Sequence, residues 1–176
     1  MTLFDQEFKK LIKREAGFVN HPADRGGPTN LGITLGTLTN YLGRQATVDD
    51  IKNLTTKTAS EIYYQNYWLR YRISDLPELL QPIVFDMVVN SGKNGIKILQ
   101  TALENHGYPV GKIDGSIGKN TASAATHAAA EMGNKLIETI VRRRIIYYQN
   151  IAKNDPSQEV FLNGWINRAN EFLPGN

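Results

Sequence analysis

The most apolar stretch of the chain, residues 82–92, is the feature that most limits its fold. It begins at Pro82, which the first turn of a helix tolerates, and it ends at Gly92, a residue typical of helix termini. Between them, six apolar side chains cover almost every face of a helix: Ile83, Val84, Phe85, Met87, Val88 and Val89. A helix that is apolar all round is buried. The run therefore predicts a central buried helix.

Two polar side chains, Asp86 and Asn90, lie one turn apart inside this apolar run. A buried aspartate needs a partner, because desolvation of an unpaired charge is unfavourable. Two roles are open for Asp86. It pairs with an arginine or a helix N-terminus as part of the structure, or it lines an active cleft.

Helical spacing of apolar side chains recurs through most of the remaining sequence, from residues 3–16 to the segment after Pro156. No alternating strand pattern exceeds four residues, and only the loops near Asn20 and Asp114 could hold short hairpins. We therefore expect a mainly α fold, with a small β-hairpin at most.

Composition narrows the class of protein without naming it. The 176 residues suit one domain, or one domain with a small appendage, and any boundary is expected near residues 72–82 or 91–95. Apolar residues make up 41% of the chain, and no apolar run approaches a membrane span. The absence of cysteine excludes disulfides and thiol chemistry. The net charge of +3 would suit an anionic polymer such as nucleic acid or bacterial cell wall.

Glu15 is the first candidate for chemistry. At about 100° of rotation per residue, the apolar side chains of the first helix fall within a sector of about 100°, and Glu15 falls near its middle. The sector is formed by Phe4, Phe8, Leu11 and Ile12. Desolvation and the negative end of a helix dipole both raise the pKa of a carboxyl group, which suits a general acid. The alternative is a glutamate at the edge of the stripe that is paired with Arg14 or Arg25.

A loop rich in Gly, Pro, Asn and Asp follows, and it carries a second carboxylate, Asp24, nine positions after Glu15. A protonated Glu could protonate a glycosidic oxygen, while an ionised Asp stabilises the cationic transition state or activates a water. Thr29 or Thr34 could hold that water. The three histidines lack the spacing of a metal site, so we expect no metal and no other cofactor.

The segment Glu15-Ala-Gly-Phe-Val-Asn-His-Pro-Ala-Asp-Arg-Gly-Gly-Pro-Thr-Asn-Leu-Gly-Ile-Thr resembles the Glu-Gly-Gly…Asn-Asp…Asp…Gly-Gly…Thr-Asn…Gly-Ile-Thr signature of glycoside hydrolase family 108. Those proteins are lysozyme-like muramidases of phages and bacteria. Ile62-Tyr-Tyr-Gln-Asn-Tyr-Trp is similar to a second block of the family. Residues 85–170 resemble the peptidoglycan-binding domain usually fused behind it, through Phe85-Asp-Met-Val-Val-Asn-Ser-Gly, Leu99-Gln-Thr-Ala-Leu, Asp114-Gly-Ser-Ile-Gly and Gly164-Trp-Ile-Asn-Arg.

The resemblance implies a lysozyme-like helical fold and cleavage of the β-1,4 bond between N-acetylmuramic acid and N-acetylglucosamine. The motif glutamate falls on Glu15, as the general acid. His21 stands where the family commonly has Asp, so Asp24 becomes the better candidate for the second carboxylate, with Thr29 as a third catalytic residue. We expect five further side chains to contact substrate: Asn30, Thr34, Tyr67, Asp86 and Asn90. Residues 1–84 would form the catalytic region and residues 85–174 the peptidoglycan-binding region.

Other functions remain open. A lytic transglycosylase would cleave the same bond without adding water, and a non-catalytic wall-binding or secretion-accessory protein would keep only the fold. A nucleic-acid-binding protein would rest on Arg142–Arg144 alone, and we expect no nucleic acid as partner. These arginines could instead attract the protein to an anionic membrane surface.

The expected partner is bacterial peptidoglycan, and the expected state is a monomer. The first 30 residues lack a signal-peptide pattern. We therefore expect synthesis in the cytoplasm and action in the periplasm or cell wall after release, as for a phage endolysin.

Overall fold

The computed structural model describes residues 1–14 and 28–175, together with the backbone of residues 18–19. The residues group by their contacts into two compact units, Met1–Arg70 and Tyr71–Asn176. Helices dominate both units, as predicted. None of the helices in the described ranges has the length and apolarity that crossing a membrane requires.

In its described residues, the first unit combines four α-helices and a small antiparallel sheet with strand order β1-β2-β3. Its elements are α1 (Leu3–Arg14), β1 (Phe18–Val19), β2 (Thr29–Asn30), β3 (Ile33–Thr34), α2 (Leu35–Leu42), α3 (Val48–Lys52) and α4 (Thr56–Tyr63), which continues as a π-helical segment, Tyr64–Leu69. The predicted hairpin is thus a sheet of three two-residue strands.

Aromatic side chains of α1, α4 and the π-helical segment pack together in the core of this unit. Phe4 packs edge-on against Trp68, with ring centroids 5.4 Å apart, and Phe8 packs on Tyr63 at 5.6 Å. The predicted stripe of α1 is buried at Phe4, Phe8 and Leu11. The stripe therefore faces the core up to the last turn of the helix.

The second unit is formed by five α-helices around the apolar run that limits the fold. Its helices are α5 (Gln81–Ser91), α6 (Lys93–Glu104), α7 (Lys119–Met132), α8 (Asn134–Asn154) and α9 (Glu159–Asn170), and two short 3-10 turns cover Ile73–Asp75 and Pro156–Gln158. In α5, side chains on all sides are buried, from Ile83 to Val88. The prediction of a central buried helix is confirmed.

Two of the helix junctions in this unit consist of a single glycine. Gly92 joins α5 to α6 with φ 53° and ψ −131°, and Gly133 joins α7 to α8 with φ 52° and ψ −126°. Residues other than glycine rarely adopt this backbone conformation, because its φ is positive. In both junctions the glycine N–H bonds the carbonyl four residues earlier and the glycine carbonyl accepts from the amide three residues later. The helix pairs α5–α6 and α7–α8 are thus connected by the same type of single-glycine turn.

Candidate functional site

The three-stranded sheet organises the described part of the predicted catalytic segment. Thr29 lies opposite Val19 on one side and opposite Thr34 on the other, while Asn30 lies opposite Phe18 and Ile33. Successive side chains of a strand point to opposite faces. Asn30 and Ile33 therefore share the buried face, and Thr29 and Thr34 share the half-exposed face.

The turn between β2 and β3 has a strained residue. Leu31 has φ 51°, a left-handed backbone conformation that costs a residue with a Cβ atom about 1–2 kcal/mol. The Tyr63 hydroxyl donates to the Leu31 carbonyl at 3.2 Å. The aromatic core of the unit thereby fixes the turn that brings Thr29 beside Thr34.

Asn30, a predicted substrate contact, has a structural bond in this arrangement. Its side chain is buried, and its Nδ2 donates to the Ile51 carbonyl at 2.9 Å and more weakly to the Lys52 carbonyl at 3.3 Å. These bonds tie the sheet to the end of α3. A contact between Asn30 and substrate stays a prediction.

The two threonines differ in how their hydroxyl groups are used. The Thr34 hydroxyl caps α2, since it accepts from the Thr37 N–H at 3.1 Å and shares a hydrogen bond with the Thr37 hydroxyl at 3.0 Å. The Thr29 hydroxyl forms no hydrogen bond to any residue in the described ranges. Of the two, Thr29 is the better candidate for holding a water molecule.

Glu15 and Asp24, the two predicted carboxylates, lie outside the described residues. Glu15 directly follows Arg14, the last residue of α1. The chain between β1 and β2 carries Asp24, and the pairing of Val19 with Thr29 closes its two ends. The catalytic roles of Glu15, Asp24 and Thr29 stay predictions.

α1 contains a buried carboxylate that was not among the predicted site residues. Glu7 is buried, and its Oε1 accepts from the Lys10 ammonium at 2.7 Å. At about 100° of rotation per residue, Glu7 falls about 40° outside the apolar sector that contains Glu15. The rotation argument therefore does not identify Glu7, and its burial became evident only from the three-dimensional structure.

Tyr67 lies at the edge of the aromatic core. It is half-buried on the π-helical segment, and its ring stacks on Tyr63 with centroids 5.3 Å apart. The neighbouring rings of Tyr63 and Trp68 are buried in the core. Stacking of a sugar on Tyr67 stays a prediction.

Of the two roles that were open for Asp86, the structure shows the structural one, pairing with arginines. Its carboxylate is buried and accepts from Arg144 Nη2 on α8 at 2.5 Å and from Arg168 Nε and Nη2 on α9 at 3.0 and 2.9 Å. Asn90 is exposed, and its Nδ2 donates to the Asp86 carbonyl at 2.6 Å. Substrate contact by Asp86 or Asn90 stays a prediction, and Asp86 would have to leave its arginines to make one.

The three consecutive arginines do not form one basic surface. Arg142 is exposed and pairs with Glu138 at 3.7 Å, whereas Arg144 is fully buried. Arg144 Nε donates to the Tyr148 hydroxyl at 2.8 Å, and its Nη1 has no partner among the described residues. The expectation that all three arginines attract the protein to a membrane surface is therefore wrong for Arg144, because Asp86 holds it inside the helical core.

No group of three or more His, Asp or Glu side chains in the described ranges could hold a metal ion. The described part of the site thus consists of hydroxyl, amide and aromatic groups around a small sheet.

Comparisons with known proteins decide the family. The family model described as "Glycosyl hydrolase 108" matches residues 8–92, and that described as "Predicted Peptidoglycan domain" matches residues 94–170. The solved structure of SagA from Brucella abortus is similar over 96% of this chain and 90% of that one, with 31% identity and a TM-score of 0.76. The chain belongs to glycosyl hydrolase family 108. No curated protein matches it significantly.

Membership of family 108 confirms the resemblance found in the sequence and the mainly α, lysozyme-like fold. This family 108 protein is a glycosidase that acts on peptidoglycan. Its family spans meet at residues 92–94, whereas its compact units divide after Arg70. The division into residues 1–84 and 85–174 stays a prediction.

Proposed function

We propose that this family 108 glycosidase hydrolyses the β-1,4 bond between N-acetylmuramic acid and N-acetylglucosamine, with Glu15 as general acid. The observation that carries the proposal is the small sheet. Its strands pair β1 with β2 and β2 with β3, so that Val19, before the segment that contains Asp24, lies opposite Thr29, after it. One half-exposed threonine hydroxyl on that sheet, that of Thr29, forms no hydrogen bond within the described ranges. The family span of residues 8–92 includes both proposed carboxylates.

The proposed reaction breaks the bond between C1 of the muramic acid and the leaving oxygen. Glu15 gives its proton to that oxygen as the bond breaks, so that the sugar leaves as an alcohol. The ionised Asp24 stabilises the oxocarbenium-like transition state or takes a proton from the attacking water, which Thr29 orients. One water is added in total, and the new chain end is a reducing sugar.

The decisive experiment is mass spectrometry of soluble fragments released from purified peptidoglycan by wild type and by Glu15→Gln. We expect reducing muropeptides from wild type, and a loss of about 10²–10⁴-fold in their rate of release by the variant, as for removal of a general acid. Glu7→Gln is a matched control, because Glu7 is a buried carboxylate of α1 that pairs with Lys10. It should keep most of the activity.

Each other outcome points to another function. Anhydro products from wild type would identify a lytic transglycosylase, since they lack the added water. Release of fragments by a folded Glu15→Gln protein at the wild-type rate would contradict the assignment of Glu15. The absence of glycan cleavage by any variant would leave a wall-binding protein.

We also propose an endolysin role, in which the protein is made in the cytoplasm and reaches the wall after release. Cytoplasmic expression should then leave bacteria intact until an agent opens their inner membrane. Lysis of cells with an intact inner membrane would contradict this role.

A further inference from the structure

The second unit contains an open groove between α6 and α8 with a volume of about 300 Å³. Both helices contribute residues at the spacing i, i+3, i+4 and i+7, which places them on one face of each helix. Its polar lining consists of Asn94, Lys97 and Thr101 from α6 and Arg143, Tyr147 and Asn150 from α8. Isoleucines at positions 98 and 146 complete it. We call it the α6/α8 groove.

The charge of the α6/α8 groove is positive and uncompensated. Lys97 and Arg143 are its two charged residues, and no carboxylate lines it. Within the described ranges neither side chain forms an ion pair or a hydrogen bond. The flanking arginines differ, because Arg142 pairs with Glu138 and Arg144 pairs with Asp86. The groove therefore suits an anionic occupant.

The remaining lining of the groove suits a sugar or a peptide. Asn94 Nδ2 lies 3.2 Å from the Tyr147 hydroxyl, so a polar bridge links the two helices. Ile146 is 45% exposed, and it lies one residue before the half-buried ring of Tyr147. Apolar and aromatic surface beside amide groups is typical of pockets that bind polar organic ligands.

We propose that the α6/α8 groove binds the anionic peptide stem of peptidoglycan, with Lys97 and Arg143 facing its carboxylates. The inference rests on the proposed function only in taking the cell wall as the substrate. All of the lining residues fall within residues 94–170, the span of the predicted peptidoglycan domain. Peptide stems carry free carboxylates, which match the uncompensated charge of the groove.

Two other grooves in the described part of the chain lack this complementarity. The groove between α1 and α4 has Asp5 and Glu61 beside its lysines. The groove at residues 110–121 contains Asp114, whose carboxylate already accepts from Gln100 and from the Ser116 N–H. The α6/α8 groove is the better site for an anion.

The test is cosedimentation with insoluble purified peptidoglycan, carried out with Glu15→Gln protein so that hydrolysis does not remove the ligand. The double variant Lys97→Met with Arg143→Met should bind about tenfold more weakly, because two charged contacts are lost. Methionine keeps the apolar stem of each side chain, so the fold is retained. The matched control is Lys135→Met with Arg142→Met, which removes the same charge outside the groove. It should bind like the Glu15→Gln protein without further changes, here called the parent.

Chemical amidation of the peptidoglycan carboxylates identifies the partner group. It should weaken binding of the parent to the level of the double variant and leave the double variant unchanged. Equal binding by parent and double variant, an equal loss in the control, or no effect of amidation would each overturn the proposal. None of these results bears on Glu15, whose role is judged by comparing the fragments that wild type and Glu15→Gln release.

Discussion

Asp86 shows what a single buried carboxylate does in the second unit. It is 3% exposed and joins three helices, because it lies on α5 and accepts from arginines on α8 and α9. The arginines stand 58 and 82 residues away along the chain. The sequence pattern could predict that Asp86 needs a partner, but helical spacing contains no information about partners at such separations.

We predict that Asp86→Asn lowers the free energy of unfolding by about 3–5 kcal/mol, since it leaves buried arginine charges without their carboxylate. Arg144→Met should cost less. Asp86 keeps Arg168 in that variant, and the unpartnered Nη1 of Arg144 is removed with the charge. Urea unfolding followed by circular dichroism would compare the two variants.

A larger loss in Arg144→Met than in Asp86→Asn would contradict this account of the cluster. Activity separates the two roles of Asp86 further. In its structural role, the activity of Asp86→Asn should fall only in proportion to the folded fraction. A fully folded and inactive variant would instead favour the active-cleft role.

At the scale of elements, a single glutamine organises the connection between α6 and α7. Gln100 is 1% exposed, and its Oε1 accepts from the Gly115 N–H at 2.9 Å. Its Nε2 lies within 3.4 Å of four oxygen atoms, those of the Lys112 and Ser116 carbonyls, the Asp114 carboxylate and the Thr121 hydroxyl. Most of these partners are backbone atoms or lie in the segment Asp114-Gly-Ser-Ile-Gly. The motif thus folds around a side chain from the preceding helix.

We predict that Gln100→Leu destabilises the protein by about 1–3 kcal/mol through the buried Gly115 N–H alone, which loses its acceptor. Hydrogen exchange at the Gly115 amide should accelerate strongly in Gln100→Leu. Equal protection of this amide in wild type and Gln100→Leu would contradict the assignment.

The same substitution should change the response to acid. The hydrogen bond from Gln100, followed by that from the Ser116 N–H, lowers the pKa of the Asp114 carboxyl. A carboxyl group with a lowered pKa stabilises the fold above its unfolded pKa of about 3.9, and this contribution is lost as the pH falls through the folded pKa. The stability difference between wild type and Gln100→Leu should therefore narrow from about pH 7 to about pH 3. Urea unfolding at both values would measure it, and a constant difference would contradict it.

The starts of α3 and α4 show how well local sequence patterns predict helix boundaries. Thr47-Val-Asp-Asp50 predicts the start of α3, and a capping box between Thr47 and Asp50 is present. Thr58-Ala-Ser-Glu61 predicts a start for α4, but this is wrong by one turn. Thr55 is the cap, because its hydroxyl accepts from the Thr58 N–H at 3.1 Å. Two threonines three residues apart offer the same cap chemistry, and the pattern alone cannot choose between them.

Across the whole molecule, predictability depends on the length of each pattern. The buried helix α5 and the mainly α class follow from long apolar periodicity. The strands of the sheet have two residues each, too few for an alternating pattern to be detected. The family could be predicted because the resemblance rests on an ordered motif of about twenty residues. The burial of Glu7 and the arginine partners of Asp86 could be found only from the three-dimensional structure.

The proposed acid and the proposed groove lie in different family spans, which predicts a separation of their kinetic effects. Lys97→Met with Arg143→Met should raise KM on insoluble wall about tenfold and leave kcat unchanged, because binding is lost equally in ground state and transition state. Glu15→Gln should lower kcat instead. Reducing-end assays over a range of wall concentrations would separate the two, and a fall in kcat for the groove variant would contradict the separation.

The single-residue junctions at Gly92 and Gly133 also limit where relatives of this protein can differ in length. An extra residue at either glycine would rotate the next helix by about 100° and turn its buried face toward water. The connection between α6 and α7 is longer, and Gly107 in it is exposed, with nothing within 4 Å of its Cβ position. Insertions, epitope tags or fused reporters should therefore be accepted at Gly107, outside the part that Gln100 holds, while both glycine junctions keep their length.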